Sequence, residues 1–208
     1  NLSYGPKRCE KLLSHLKVLE AKSCIKSFSF FVSLDAFGPQ ASYIRQGLHL
    51  DQFFKNIELI KQNSPRSTIV IMCTFNILSI ASFSDLLKWI EEQKKNGSKI
   101  ILDVSYLKDP EYLRANLATD DLINTLKSSL EKMKESPSFG QYETSKFNRV
   151  VDWILDSNKD ESILNHRADF YKFINEFDKR YNKNFLEIFP EYNTFFKICS
   201  KASLKLHY

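Results

Sequence analysis

"FSFFVSLDAFGPQASYIRQG", residues 28–47, carries the strand on which the fold turns and the polar exit that bears on function. Phe28, Phe30, Val32 and Leu34 share one parity and are all apolar, while Ser27, Ser29, Ser33 and Asp35 share the other, interrupted only by Phe31. Successive side chains on a strand point to opposite faces, so this period of two predicts a strand over 27–35 with one buried and one polar face. A Ser and an Asp close it, and Arg45 follows ten residues after the Asp.

Two further stretches repeat the design. In "STIVIMCTFN", residues 67–76, Ile69, Ile71, Cys73 and Phe75 face one way and Val70, Met72, Thr74 and Asn76 the other. In "KIILDVSYLKDP", residues 99–110, the apolar parity is Ile100, Leu102, Val104 and Tyr106, and the mixed one Ile101, Asp103, Ser105 and Leu107. Strands are expected over 27–35, 68–76 and 99–106, with starts roughly 30 to 40 residues apart, the spacing of right-handed βαβ units on a parallel sheet.

Helical stripes separate them. Leu12, Leu13, Leu16 and Leu19 follow Pro6, a first-turn proline, and Leu50, Phe53, Phe54, Ile57 and Ile60 run until "NSPRS" stops them. Ser82 with Asp85 reads as a capping box for a helix through Phe83, Leu86, Leu87 and Ile90 that ends at Gly97. After Pro110 only helical periods remain. The predicted fold class is α/β: a partial parallel (βα) barrel with three βα units over 1–115, followed by a mainly helical region over 116–208, with no linker flexible enough to separate the two.

Bulk properties narrow the function classes. The 208 residues are 43% hydrophobic, enough for a substantial core, and no apolar run approaches the ~20 residues of a membrane span, so the expected address is cytoplasmic. The formal charge of +5 comes from 30 Lys and Arg interspersed with 25 Asp and Glu, the look of solvated helix faces rather than a nucleic-acid surface. Only the tail "KICSKASLKLHY" is basic without relief. The cysteines (Cys9, Cys24, Cys73, Cys199) and histidines (His15, His49, His166, His207) form no local metal-binding spacing, and the cysteines read as free thiols.

Ligands of parallel βα folds bind at the carboxyl ends of the strands, where loops converge. The three exits supply Ser33 and Asp35, Thr74 and Asn76, then Ser105 and Leu107. Asp35 and Asn76 fit either ligand contact or capping of the next loop, and Arg45 either a surface ion pair or a fork for a carboxylate or phosphate.

"VSLDAFGPQASYIRQGL", "FFKNIELI", "IVIMCTFNILSIASFSDLLKWI", "LKDPEYL" and "FINEFDKRYNKNFLEIFPEYNTFFKIC", in that order, resemble the later two thirds of a radical S-adenosylmethionine (radical SAM) protein with a twitch-type C-terminal region. The resemblance implies that Ser33 and Asp35 approach the amino acid and ribose of S-adenosylmethionine, that Arg45 meets its carboxylate, that Asn76 contacts the nucleoside and that Leu107 lies against adenine. It implies reductive cleavage of S-adenosylmethionine by a 4Fe-4S cluster, with the substrate left open; a peptide is the class that twitch-type relatives often modify. The cluster-binding Cys-x-x-x-Cys-x-x-Cys is lacking here, and "NLSYGPK" resembles the end of a preceding strand. An upstream segment or a companion chain is therefore expected to bring the cluster and complete the barrel. The alternative is a non-catalytic, degenerate or split homologue acting as a scaffold or binding subunit.

Overall fold

The alternating segments become β1 (Ser29–Ser33), β2 (Thr68–Phe75) and β3 (Ile100–Tyr106). In the computed structural model, which describes residues 2–158 and 162–205, they form a parallel sheet in the order β1-β2-β3. Asn1 and His207, at the two ends of the chain, lie outside the described residues. The register aligns Phe31 with Val70 and Ile101, and Ser33 with Met72 and Asp103.

The chain enters by α1 (Pro6–Ala21), and α2 (Gly38–Ile44) with α3 (Leu50–Asn63) links β1 to β2. Helix α4 (Ile80–Lys95) links β2 to β3. Parallel neighbours joined in sequence order by right-handed crossovers place both links on one side of the sheet. Burial agrees: Val32, Leu34, Ile71, Cys73, Leu102 and Val104 are buried, whereas on the other face Phe31 is 67% and Ile101 37% exposed. The sheet thus has a covered face and a partly open one, on which Val70 is still buried and Met72 half-buried, and β1 is an edge strand that pairs with β2 alone among the described strands.

The start of α4 differs from the predicted capping box. Asn76 caps the preceding 3-10 turn (Ile77–Ser79): its Oδ1 accepts from the Leu78 N–H and the Ser79 hydroxyl accepts from the Asn76 N–H, so the helix begins at Ile80. The Ser82 hydroxyl instead accepts the Phe37 N–H, at 2.9 Å, fixing the entry to α2. Asn76 and Ser79 carry the same three-residue spacing as Ser82 and Asp85, and the pair nearer the strand captures the turn. At the other end Gly97, with φ of 78°, closes α4: its N–H reaches the Lys94 carbonyl and that of Ser98 the Gln93 carbonyl, the Schellman pattern.

Among the described residues five helices follow: α5 (Asp120–Glu135), α6 (Gln141–Ser157), α7 (Ile163–Tyr181), α8 (Phe185–Ile188) and α9 (Asn193–Lys205). Thr119 stands at the N-cap position of α5 but makes no side-chain cap bond. The segment Ala115–Ala118 is held by carbonyl acceptors: Asn158 donates to Asn116 and Ala118, and Arg167 to Leu117 and Ala118. Helix α6 covers the outer edge of β3. One hydrophobic cluster runs from Leu2 through the buried sheet face to Cys199, so 1–115 and 116–208 share a core.

Cys9, Cys73 and Cys199 are inside that core and Cys24 is exposed. Burial raises the Cys9 thiol, raises Cys73 strongly and pushes Cys199 up to about 12. Since the thiolate is the reactive form, native alkylation with iodoacetamide is expected to add one label rapidly, at Cys24, with the other three reacting only in denaturant. Comparable native labelling of Cys73 or Cys199, read by peptide mass spectrometry, would contradict this packing.

Candidate functional site at the sheet mouth

Asp35, first residue beyond Leu34, turns its side chain toward the exit of β2. Its Oδ1 accepts the Thr74 N–H at 2.8 Å, and its Oδ2 lies 2.7 Å from the Arg45 Nε. The Arg45 Nε–H is not aimed at that oxygen, so the contact is an ion pair without hydrogen-bond geometry. The guanidinium side chain is 30% exposed while the carboxylate is buried, and no hydrogen bond occupies the two terminal guanidinium nitrogens among the described residues. Asp35 therefore acts as a buried post that holds a half-exposed fork.

Asn76 closes the corner from the other side. Its amide donates to the Thr74 carbonyl at 3.0 Å while its Oδ1 caps the 3-10 turn, so both ends of the amide are engaged. Beneath them, the Cys73 thiol lies 3.8 Å from the Asp35 carbonyl oxygen, and its upward shift comes first from burial and then from the neighbouring Asp35 charge, with Arg45 opposing.

All five predicted residues thus stand at one end of the sheet. Asp35, Arg45 and Asn76 meet around Thr74; Ser33 sits on the more open face beside Met72; Leu107, whose N–H bonds the Phe75 carbonyl, extends β3 at the same end. Their polar groups largely satisfy one another. The capping and ion-pair roles open to Asp35, Asn76 and Arg45 in the sequence are all realised, with the Arg45 terminal nitrogens the part left for a ligand.

Concavities lie elsewhere. A cavity of about 860 Å³ opens on the helical side, where Phe37, Trp89 and Leu122 meet Glu92, Asp121 and Glu191. Another, of about 450 Å³, sits at the carboxyl end of β3 against α6. Neither is lined by Ser33, Asp35, Arg45, Asn76 or Leu107.

Sequence reasoning missed α6 altogether as a source of polar groups at this edge. Glu143 is buried and Lys146 pairs with Asp103 at 2.9 Å, a bond that raises the lysine's pKa. The signal for Glu143 was its position three residues after Gly140, the reciprocal spacing of a cap.

Comparison with family models, curated proteins and solved structures finds no match to this chain. The residues do not fit a 4Fe-4S cluster: no group of three or more His, Cys, Asp or Glu able to hold a metal ion occurs among the described residues. No described helix is long and apolar enough to cross a membrane.

Proposed function

We propose that this chain supplies the cofactor-binding wall and C-terminal region of a radical S-adenosylmethionine enzyme. The ligands of the iron–sulfur cluster then come from an upstream segment or a companion chain, and the reaction class is reductive cleavage of S-adenosylmethionine. The observation that supports the reading is the sheet itself: parallel strands with their crossovers on one side, and a partly open opposite face on which Phe31 is 67% exposed. Doubly wound sheets bury both faces under helices, whereas a wall of a (βα) barrel keeps helices outside and meets other strands inside. A further polypeptide pairing with β1 would remove both the open edge and the apolar exposure.

Within that frame the chain's own residues bind. Arg45, steadied by Asp35, offers its terminal nitrogens to the cofactor carboxylate; Ser33 and Leu107 line the same end for the polar and adenine parts. Asn76 holds the Thr74 turn rather than touching the nucleoside, a departure from what the resemblance implies.

A second reading, a scaffold or binding subunit without catalysis, is favoured by one observation: Asp35 and Asn76 already spend their hydrogen bonds on Thr74 and Leu78. Titration calorimetry on the protein together with the polypeptide that covers its sheet separates the two. Arg45→Ala is expected to weaken S-adenosylmethionine by roughly 1.5 to 3 kcal/mol, the range for a hydrogen bond to a charged group and at least about tenfold in Kd. Equal affinity in wild type and Arg45→Ala, or no binding by either, would favour the scaffold.

A further inference from the structure

We propose that the cavity between the carboxyl end of β3 and α6 binds a small anion carried on a flat ring, a nucleoside monophosphate being the simplest member of the class. Its volume of about 450 Å³ suits such a ligand, because small-molecule sites run from about 300 to 1,000 Å³. Ser105, Tyr106 and Lys108 come from the strand and its exit, and Lys146, Arg149 and Trp153 from α6. The last three are spaced i, i+3 and i+7, which puts them on one helix face. Three cations and no carboxylate line this cavity, although acids nearly balance bases over the whole chain, 25 to 30.

The cations divide by role. Lys146 is committed to Asp103, whereas Lys108 and Arg149 form no ion pair among the described residues and are exposed at the rim. An Arg guanidinium offers a planar fork that matches two oxygens of a phosphate, and Lys a point charge beside it. The Ser105 hydroxyl is a neutral donor on the same side. Against them stands a prebuilt stack: Tyr106 and Trp153 lie 4.4 Å apart with planes 10° from parallel, and both rings line the cavity, so a third flat ring adds to an ordered pair. S-adenosylmethionine, with a sulfonium, an ammonium and one carboxylate, carries net positive charge and is the wrong sign here. The inference therefore goes beyond the cofactor reading and stands independently of it.

Equilibrium dialysis of the full chain with AMP tests it, with adenosine and inorganic phosphate as the two halves of the ligand. Saturable AMP binding is expected, tighter than either half, and weakened about tenfold by Lys108→Ala or Arg149→Ala through loss of one charge-assisted contact each. Lys197→Ala, on the exposed side of α9, should leave it unchanged. Both rim residues are exposed, so the variants should unfold at the wild-type temperature. Absence of saturable AMP binding at millimolar ligand, or wild-type affinity in the Lys108→Ala/Arg149→Ala double variant, overturns the proposal; adenosine binding as tightly as AMP would overturn its anionic part.

Discussion

Glu143→Ala is expected to cost about 3 to 5 kcal/mol of folding stability, the range for removing one partner of a buried ion pair. The Glu143 carboxylate receives Lys94 Nζ at 2.7 Å on both oxygens, the Leu102 N–H at 2.9 Å and the Gly140 N–H at 3.0 Å. It thereby joins the last turn of α4, the outer edge of β3 and the first turn of α6. Among the described strands none pairs with the Leu102 N–H on that edge, and the Lys94 side chain is only 15% exposed, so truncation strands a donor and a charge together. Urea denaturation measures the loss. The double variant Lys94→Met/Glu143→Gln should recover much of it, since an amide oxygen still accepts from Leu102 and no charge is left unpaired. A cost below about 1 kcal/mol for Glu143→Ala would rank the pair with exposed surface bridges.

Glu143 also shows where sequence reading stopped. The period of two in Phe30, Val32 and Leu34, in Ile69 to Phe75 and in Ile100 to Tyr106 is local, and each strand forms on the predicted parity with parallel neighbours. β1 is shorter than its pattern, ending at Ser33, because Asp35 leaves the ladder to bond the Thr74 N–H. The other parity was not legible as an open face: it mixes Ser33, Asp103 and Thr74 with Phe31, Val70, Met72 and Ile101, and only the packing decides which of these are covered. What was not local was not legible. Lys108 and Arg149 stand 41 positions apart in sequence, and only the packing of α6 along β3 brings them to one cavity. The candidate Asp35, Arg45 and Asn76 group was legible as a set of polar exits, but not that its members would bind one another first. That choice depends on the 2.8 and 2.7 Å contacts Asp35 makes across to β2 and α2.

Phe185→Ala should be equally severe, about 3 to 5 kcal/mol, because large-to-small changes at fully buried aromatics combine lost transfer energy with a cavity. Phe185 is 1% exposed, and its ring centroid lies 5.0 to 6.0 Å from those of Phe189, Phe196, Tyr192, Phe170 and Tyr43. These rings come from α2, α7, α9 and the turn between α8 and α9, so one side chain ties the C-terminal helices to the segment that carries Arg45. Asp178 reinforces the junction, accepting the Tyr43 hydroxyl at 2.7 Å and the Phe185 N–H at 2.6 Å; burial, then that bond, pushes the Tyr43 phenol well above its ordinary value. A shared core predicts that the damage spreads. Native-state hydrogen exchange in Phe185→Ala should therefore show protection falling by the same free energy in β2 and in α9, as expected of one cooperative unit. If α9 loses its protection while β2 keeps the wild-type value, the helical region is a separately folding attachment, and the sheet mouth does not depend on it.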